Sequence, residues 1–253
     1  FPEVLYSFLV GGFFGSFLPS SLGPDAARTV ALASRTDAGG TRTASSVVML
    51  NLLGLWALGV AFLFGTGLLL AGGGLPPALA GAGDVLLVGA AAGVVLLPAL
   101  LATRAPLPDF EPSSGPGRRI AEFLEALAAF RSAGRPLWAA FAVALVNQAL
   151  AVTVVFTVFR AGGVDASPLW FLALVPLVHV ARLIPATVAG FGAEQGVVVG
   201  LFGLAGVAAS EALAMSVLVA GLNLGFQALA GLLYAGASAR SLGRHLQIGR
   251  AHV

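Results

Sequence analysis

Ionisable side chains lie within an apolar stretch of the sequence, residues 174–195. The stretch contains His179, Arg182 and Glu194, which a plain lipid-facing helix would avoid. An ionisable residue at the centre of a bilayer costs roughly 2.5–3.5 kcal/mol on insertion scales, so its presence favours a functional role. A guanidinium group suits phosphate oxygens, and a carboxylate can pair with arginine or bind a basic group or a proton. We therefore expect Arg182 and Glu194 to bind the polar part of a ligand.

His179 precedes Arg182 by three residues, so the two side chains can share one face of a helix. Two interpretations of His179 stay open at this point: it relays protons, or it is a hydrogen-bonded histidine inside a helix bundle. Amide side chains within the apolar runs are expected to form hydrogen bonds between helices, and these are Asn147, Gln148, Asn223 and Gln227.

Prolines and glycines interrupt the same stretch at Pro176, Pro185, Gly190 and Gly192. Proline removes a backbone donor and glycine relaxes the helix. Free backbone groups at membrane depth survive only when they are buried in protein or face water. The stretch is therefore predicted to be a broken or re-entrant segment, with a first break of the helix at Pro176.

A weaker copy of this pattern lies near the start of the chain. There Pro19 ends an apolar run, Gly23 follows, and Asp25 and Arg28 stand three residues apart. Paired broken segments in two halves are typical of a transporter's binding site. We predict that the two segments face each other near the membrane centre, as in an inverted repeat. A solvated helix start is the second interpretation of Asp25 and Arg28, and anchoring to lipid headgroups is that of Arg28 and Arg182.

Composition places these segments in a membrane. Hydrophobic residues make up 58% of the chain and charged residues 9%, against about 25% charged residues in soluble domains. The mean hydropathy is +0.97. The predicted fold is an all-α, polytopic transmembrane helix bundle. The absence of cysteine excludes disulfides and thiolate metal sites. Nucleic acid is not an expected partner, because the net charge is only +2.

Two apolar halves and a polar linker follow from the residue distribution. Residues 1–102 are a first transmembrane half, expected to be truncated at its N-terminus, and residues 136–236 are the second half. Residues 103–135 are a linker that joins the two halves. Its part 118–131 is amphipathic and is predicted to lie on the membrane surface or to pack against the bundle.

Arginines predict which parts of the chain face the cytoplasm. Loops 24–44 and 103–135 and the tail, 237–253, hold most of them, so these parts are expected on the cytoplasmic side of a cell membrane. Residues 248–253 are expected not to be native. An even number of crossings must separate the linker from the tail. Four separate crossings satisfy this condition, and so do two full spans with a re-entrant pair between them.

Taken in order, the two motifs resemble those of the lysylphosphatidylglycerol synthase transmembrane-region family, whose members are often called flippase-like. The first motif, a proline that ends an apolar run and is followed by Gly, Asp and Arg, is similar to residues 19–28. The second, a proline followed by Gly-x-Gly-x-x-Glu-Gly, is similar to Pro185 with residues 190–196. The resemblance covers most of residues 1–236.

The resemblance implies a lipid-handling membrane protein that moves a lipid, or a lipid-linked headgroup, between leaflets. The side chains then expected to contact the substrate are Asp25, Arg28, Arg182, Glu194 and Gln195. The residues expected to shape the backbone around them are Pro19, Gly23, Pro185, Gly190 and Gly192. Membrane lipids are the expected partners, and neither a cofactor nor a metal is implied.

Three positions depart from the family pattern and keep other functions open. Leu50-Asn51 stand where a Glu-Arg pair is usual, Gln195 where glutamate is usual and Pro24 where glycine is usual. One rival is a non-transporting membrane partner of a cell-envelope glycosyltransferase or lipid-modifying enzyme. Another is an intramembrane lipid-modifying enzyme that uses a carboxylate as base. No metal-ligand spacing or nucleophile triad occurs in the sequence, so an enzyme is not expected.

Overall fold

The structure, a computed structural model, describes residues 5, 7, 9, 11–13, 23–34, 40–72, 87–96, 134–181 and 192–250. It leaves aside the side chains of residues 23, 24, 40–42, 193 and 234–250. Within the described ranges the chain forms helices and turns and no strand. The predicted all-α class is therefore confirmed.

The longer helices of the described chain differ widely in length. In chain order they are α1 (Gly23–Ala33), α2 (Gly40–Ala71), α3 (Leu87–Leu96), α4 (Gly134–Ala161), α5 (Pro168–Ala181), α6 (Ala193–Leu204) and α7 (Ala209–Arg250). Thr43–Ala71, Gly134–Ala161 and Ala209–Leu233 are long and apolar enough to cross a membrane. The helices α3, α5 and α6 are apolar but shorter. This confirms the prediction of a helical membrane bundle.

These helices belong to two compact units. One unit contains α1 and the part of α7 that begins at Val219. The other contains α2 from Ala44 onward, α3 to α6, and α7 up to Leu218. The predicted halves and the amphipathic linker stay predictions, since residues 97–133 lie outside the described chain.

Phenylalanine rings form the core of the unit that contains α4, α5 and α6. The ring centroid of Phe159 in α4 lies 5.3 Å from that of Phe171 in α5 and 4.7 Å from that of Phe202 in α6. Phe171 and Phe202 are 5.0 Å apart, and all three side chains are buried. Aromatic pairs add about 0.5–1.5 kcal/mol each to the burial of their surface. The rings hold the end of α4, the start of α5 and the end of α6 at one level.

A glycine cap ends α4 next to this aromatic core. The N–H of Val164 donates to the carbonyl of Phe159 at 3.0 Å, and the N–H of Gly163 donates to that of Arg160 at 3.1 Å. Gly163 has a φ of 85°, which glycine adopts without strain. These two bonds define a Schellman motif, which satisfies the last carbonyls of the helix and reverses the chain.

The same cap recurs at the end of α6. Val207 donates to the carbonyl of Phe202 and Gly206 to that of Gly203, each at 3.1 Å, and Gly206 has a φ of 81°. The pattern Phe-x-x-x-Gly-Val is common to residues 159–164 and 202–207. Two helix hairpins, α4–α5 and α6–α7, therefore turn in the same way at the same end of the unit.

The helices α5 and α6 are half-length and return to the end from which they start. They contain 14 and 12 residues, so they are roughly 21 Å and 18 Å long, short of the roughly 30 Å of a hydrocarbon core. Because Phe171 and Phe202 touch, the start of α5 and the end of α6 lie together. The sequence left two topologies open, four crossings or two full spans with a re-entrant pair between them, and both stay predictions.

The helix α5 does not break at Pro176, and that prediction is wrong. Pro176 lies inside a continuous helix and is buried. Its ring removes the donor for the carbonyl of Leu172. The backbone of α2 packs against that carbonyl, since a Cβ atom added to Gly65 would lie 2.5 Å from the Leu172 carbonyl carbon and 2.7 Å from its oxygen. Close packing around the proline thus keeps the helix whole.

Contacts along α2 show that it runs parallel to α4. Near its start, Met49 and Leu53 pack against Leu137 of α4, and the rings of Trp56 and Phe141 stack with centroids 3.8 Å apart. Further along, Gly65 meets the start of α5 as described above. The helices α2 and α4 therefore begin at the same end of the unit, and the predicted common side of loops 24–44 and 103–135 stays a prediction.

The unit that contains α1 includes a side-chain bond within that helix and a close approach to α7. The side chain of Thr29 donates a hydrogen bond to the carbonyl of Asp25 at 2.8 Å, inside α1. The ring of Phe13 lies against Gly231 of α7, where a Cβ atom would collide with the ring. Glycine at position 231 thus allows the N-terminal helical segment to approach α7 closely.

Candidate functional site

A polar pair links α4 and α5 inside the apolar bundle. The Nδ1 atom of His179 lies 3.4 Å from the Oε1 atom of Gln148. Only 5% of the Gln148 side chain is exposed, and His179 is half-buried. Since an amide oxygen only accepts, Nδ1 is the donor in this pair. His179 therefore takes part in a hydrogen bond between helices, as one of its two interpretations predicts.

The amide of Gln148 has a second polar atom that can donate to a ligand. Its Nε2 atom is buried and makes no hydrogen bond with any other residue that the structure describes. A buried donor without a partner costs about 1–3 kcal/mol, so it favours any ligand that brings an acceptor. Of the other amides predicted to join helices, Asn147 and Asn223 are exposed, which contradicts their predicted role.

Polar side chains of three helices lie at similar depth. At about 1.5 Å per residue, Gln148 is roughly 16 Å along α4 from Phe159, and His179 of α5 and Glu194 of α6 are each roughly 12 Å from the phenylalanine of their own helix. Half of a typical hydrocarbon core is about 15 Å. An exposed ion pair between Arg160 and Asp165 stands at the aromatic end, where water would begin. The distance of the polar groups from the aromatic end is thus about half the thickness of a hydrocarbon core.

The start of α6 is built around Gly192 and Gln195. Gly192 has a φ of 103°, and its N–H donates to the Oε1 atom of Gln195 at 2.6 Å. The side chain of Gln195 is buried, with 6% of its surface exposed. This bond satisfies one of the backbone donors that a helix start leaves open. Gln195, predicted to contact substrate, is placed here as a cap of the helix.

Glu194 occupies the first turn of the same helix and is half-buried. The positive end of the helix dipole stabilises a carboxylate at this position. Glu194 and Gln195 are neighbours in sequence and differ in burial, since Gln195 is buried and bonded to the turn and Glu194 is half-buried. Glu194 is the acidic group in the first turn of α6.

Asp25 and Arg28 form an ion pair within α1, with an N–O distance of 3.4 Å. The helix begins at Gly23, so the two side chains lie on one face of it. Burial lowers the pKa of the Arg28 guanidinium, and the nearby Asp25 carboxylate opposes that shift. The pair belongs to a different compact unit from Glu194 and His179. The face-to-face arrangement of the two motifs stays a prediction.

Several predicted site residues lie outside the described chain, namely Pro19, Arg182, Pro185 and Gly190. Their roles stay predictions. The departures at Leu50 and Asn51 are both exposed on α2. In the described part of the chain, no group of three acidic, histidine or cysteine side chains is arranged to hold a metal ion.

The sequence did not reveal an apolar pocket between α2, α3 and α5. It has a volume of about 470 Å³ and is lined by residues such as Leu52, Phe62, Val94 and Leu177. Glycines at positions 59, 89 and 93 line it as well. Glycines on two helices that face each other are the sequence signal that could have indicated the pocket.

Helices long and apolar enough to cross a membrane, together with shorter apolar helices, define the class of this protein, a helical integral membrane protein. Comparison with protein families narrows the class. The family model described as the lysylphosphatidylglycerol synthase TM region matches residues 1–231. The chain therefore belongs to this family, as the two sequence motifs indicated. Comparisons with curated proteins and with solved structures found no match.

Proposed function

We propose that this protein moves a lipid, or a lipid-linked headgroup, between the two leaflets of a cell membrane. The observation that supports the proposal is the group of polar side chains on α4, α5 and α6, where Gln148 contacts His179 and Glu194 lies in the first turn of α6. A headgroup that crosses a bilayer needs polar partners inside it, because hydrocarbon offers none. Family membership supports the same function.

Each polar group has a distinct part in the proposal. The Nε2 donor of Gln148 binds a phosphate oxygen of the headgroup, and Arg182 adds its guanidinium charge to the same phosphate. Glu194 balances that positive charge or binds a basic group of the headgroup. His179, held by Gln148, relays a proton or contributes a hydrogen bond. Asp25 and Arg28 serve the first motif in the same way.

The arrangement of the protein in the membrane is part of the proposal. Loops 24–44 and 103–135 and the C-terminal tail face the cytoplasm, which agrees with the parallel course of α2 and α4 and with the arginine distribution. The turns after α4 and α6 then face outward. In this proposal the protein carries the lipid without changing it chemically.

A second candidate is a non-transporting membrane partner of a cell-envelope enzyme. One observation favours it: Gln195, where the family pattern has glutamate, is neutral, buried and engaged by Gly192. A chain that has lost one acidic group of the motif could keep the helical scaffold and lose transport.

Leaflet exchange in liposomes separates the two candidates. The full chain is reconstituted with a fluorescent anionic phospholipid, and a membrane-impermeant reductant reports which leaflet holds the probe. We expect exchange above that of protein-free liposomes, and a decrease on the order of tenfold, about 1.4 kcal/mol, for Glu194→Gln. Arg182→Gln should have a similar effect.

Glu211→Gln is the matched control, because Glu211 also lies in the first turn of an apolar helix but is exposed. Its exchange rate should equal that of the parent. Exchange that is unchanged in Glu194→Gln and Arg182→Gln would reject the site. Absence of exchange in the parent would favour the partner role, and chemical conversion of the probe headgroup would indicate an enzyme.

A further inference from the structure

The pocket between α2, α3 and α5 is apolar throughout. Its volume is about 470 Å³, within the roughly 300–1,000 Å³ typical of small-molecule sites. The polar side-chain group at its wall is the indole of Trp56, whose Nε1–H donates to the carbonyl of Val94 at 3.0 Å. That carbonyl is among the last four of α3, which have no partner within the helix. The side chains that line the pocket are thus apolar, apart from this engaged indole.

The pocket opens at a surface that is apolar as well. Among its lining residues, Leu55, Leu96 and Val180 are 45%, 56% and 40% exposed. They belong to three different helices, so together they form a mouth rather than one helix face. Since α2 is a candidate membrane span, the medium at this mouth is lipid hydrocarbon. An occupant must therefore enter from the acyl-chain region.

The pocket also adjoins the polar pair along α5. Pro176, Leu177 and Val180 line the pocket, and His179 lies in the same helical turn and contacts Gln148 of α4. One turn of α5 therefore has hydrocarbon on one side and a polar pair on another. Amphipathic molecules such as phospholipids match this combination of surfaces.

We propose that this pocket binds one acyl chain of a membrane phospholipid. The inference deepens the proposed function and rests on it in one respect, namely that the bound lipid is the one transported. Enclosure of a chain between three helices removes it from the bilayer and fixes its headgroup near α5. Dispersion contacts with the lining side chains and the release of packing defects would favour its retention.

Glycines in the wall allow a test by filling the pocket. Gly89 and Gly93 both line it, and a Cβ atom at either position would meet nothing within 4 Å. Gly93→Leu therefore places a side chain in the cavity without a collision at its Cβ. Gly67→Leu is the matched control, since Gly67 is an exposed glycine of α2 that does not line the pocket and whose Cβ would also meet nothing within 4 Å.

The test uses the full chain in lipid nanodiscs that contain a small fraction of phosphatidylglycerol with a photoactivatable diazirine in the middle of one acyl chain. After irradiation, labelled residues are mapped by mass spectrometry. We expect strong labelling of Leu52, Leu58 and Phe62, and at least a fivefold loss of it in Gly93→Leu. Gly67→Leu should label as the parent does, and the exposed Leu222 of α7 should label equally in all variants.

Two results would overturn the proposal. One is labelling of the pocket residues no stronger than that of Leu222, which would mean that the pocket is empty or filled by the protein itself. The other is pocket labelling that Gly93→Leu leaves unchanged. If Gly93→Leu does not fold, Gly89→Leu takes its place with the same expectations. Transport is read separately, because labelling can persist in a protein that exchanges no lipid, and exchange can persist when labelling is lost.

Discussion

At the scale of single residues, the side chain of Gln195 in α6 accepts a hydrogen bond from the backbone of Gly192 in the preceding turn. Gln195→Ala removes the acceptor for the Gly192 N–H and should lower the free energy of unfolding by about 1 kcal/mol. Gln195→Glu keeps an oxygen acceptor at the same distance from the backbone and should unfold near the temperature of the parent. Thermal unfolding in detergent, followed by tryptophan fluorescence, measures both variants. Equal melting of Ala and Glu variants would contradict the capping role.

Gln148 and His179 should be coupled energetically, because their side chains meet at 3.4 Å between α4 and α5. We expect Gln148→Leu, His179→Leu and the double variant to show a coupling energy of about 0.6 kcal/mol, the average for such bonds in membrane helices. A double-mutant cycle of unfolding free energies measures it. Strict additivity would mean that the contact contributes nothing. Gln148→Leu combined with Thr153→Ala, an exposed position of the same helix, is the additive control.

The sequence could show that polar residues interrupt an apolar run, but it could not show which of them are buried against another helix. Asn147 and Gln148 are neighbours with the same kind of side chain, yet one is exposed and the other is buried against His179. Which of two adjacent positions on a helix faces a neighbour depends on the rotation of that helix, and the bundle decides the rotation.

At the scale of elements, the glycine caps shape the two helix hairpins. Gly206→Ala forces a residue with a Cβ to a φ of 81° and should lower stability by about 1–2 kcal/mol. Gly203→Ala, three residues earlier in α6, is the matched control, since it lies in the helix with open space at its Cβ. Because alanine favours a helix interior, it should raise stability by about 0.5–1 kcal/mol.

Urea-induced loss of helical circular dichroism in detergent compares the pair. If Gly206→Ala and Gly203→Ala change the free energy of unfolding in the same direction, the glycine cap does not stabilise the turn. The same comparison applied to Gly163 tests whether the α4–α5 turn depends on its own glycine, as the shared Phe-x-x-x-Gly-Val pattern predicts.

Pro176 shows why the interior of an element resists prediction from local sequence. Taken alone, a proline in an apolar run indicates a break, because the carbonyl four residues earlier loses its donor. In the folded chain that carbonyl, of Leu172, is covered by the backbone of α2 at Gly65, more than a hundred residues away in sequence. Contacts so distant along the chain leave no trace in the local pattern.

At the scale of the whole molecule, the topology predicts which positions water-soluble reagents can reach. The chain contains no cysteine, so single-cysteine variants need no background correction. Ser167→Cys and Ala208→Cys, in the exposed turns after α4 and α6, should react with an impermeant maleimide added outside intact cells. Gln247→Cys in the tail should react only after the membrane is opened.

Gly196→Cys distinguishes a re-entrant pair from two crossings. This exposed position lies in the first turns of α6, half-way along the bundle. It should not react from the cytoplasmic side, because α5 and α6 are too short to carry it there. Reaction from that side as fast as for Gln247→Cys would show that the two helices cross the membrane.

Sequence alone determined the membrane class, the helical fold and the family. These depend on composition, hydropathy and two short motifs, which are sums or neighbours along the chain. The tertiary structure decided that α5 and α6 return to one end, that Gln148 meets His179, and that glycines of α2 and α3 leave a pocket. Each of these features depends on which helix faces face one another, and packing between segments far apart in sequence sets that arrangement.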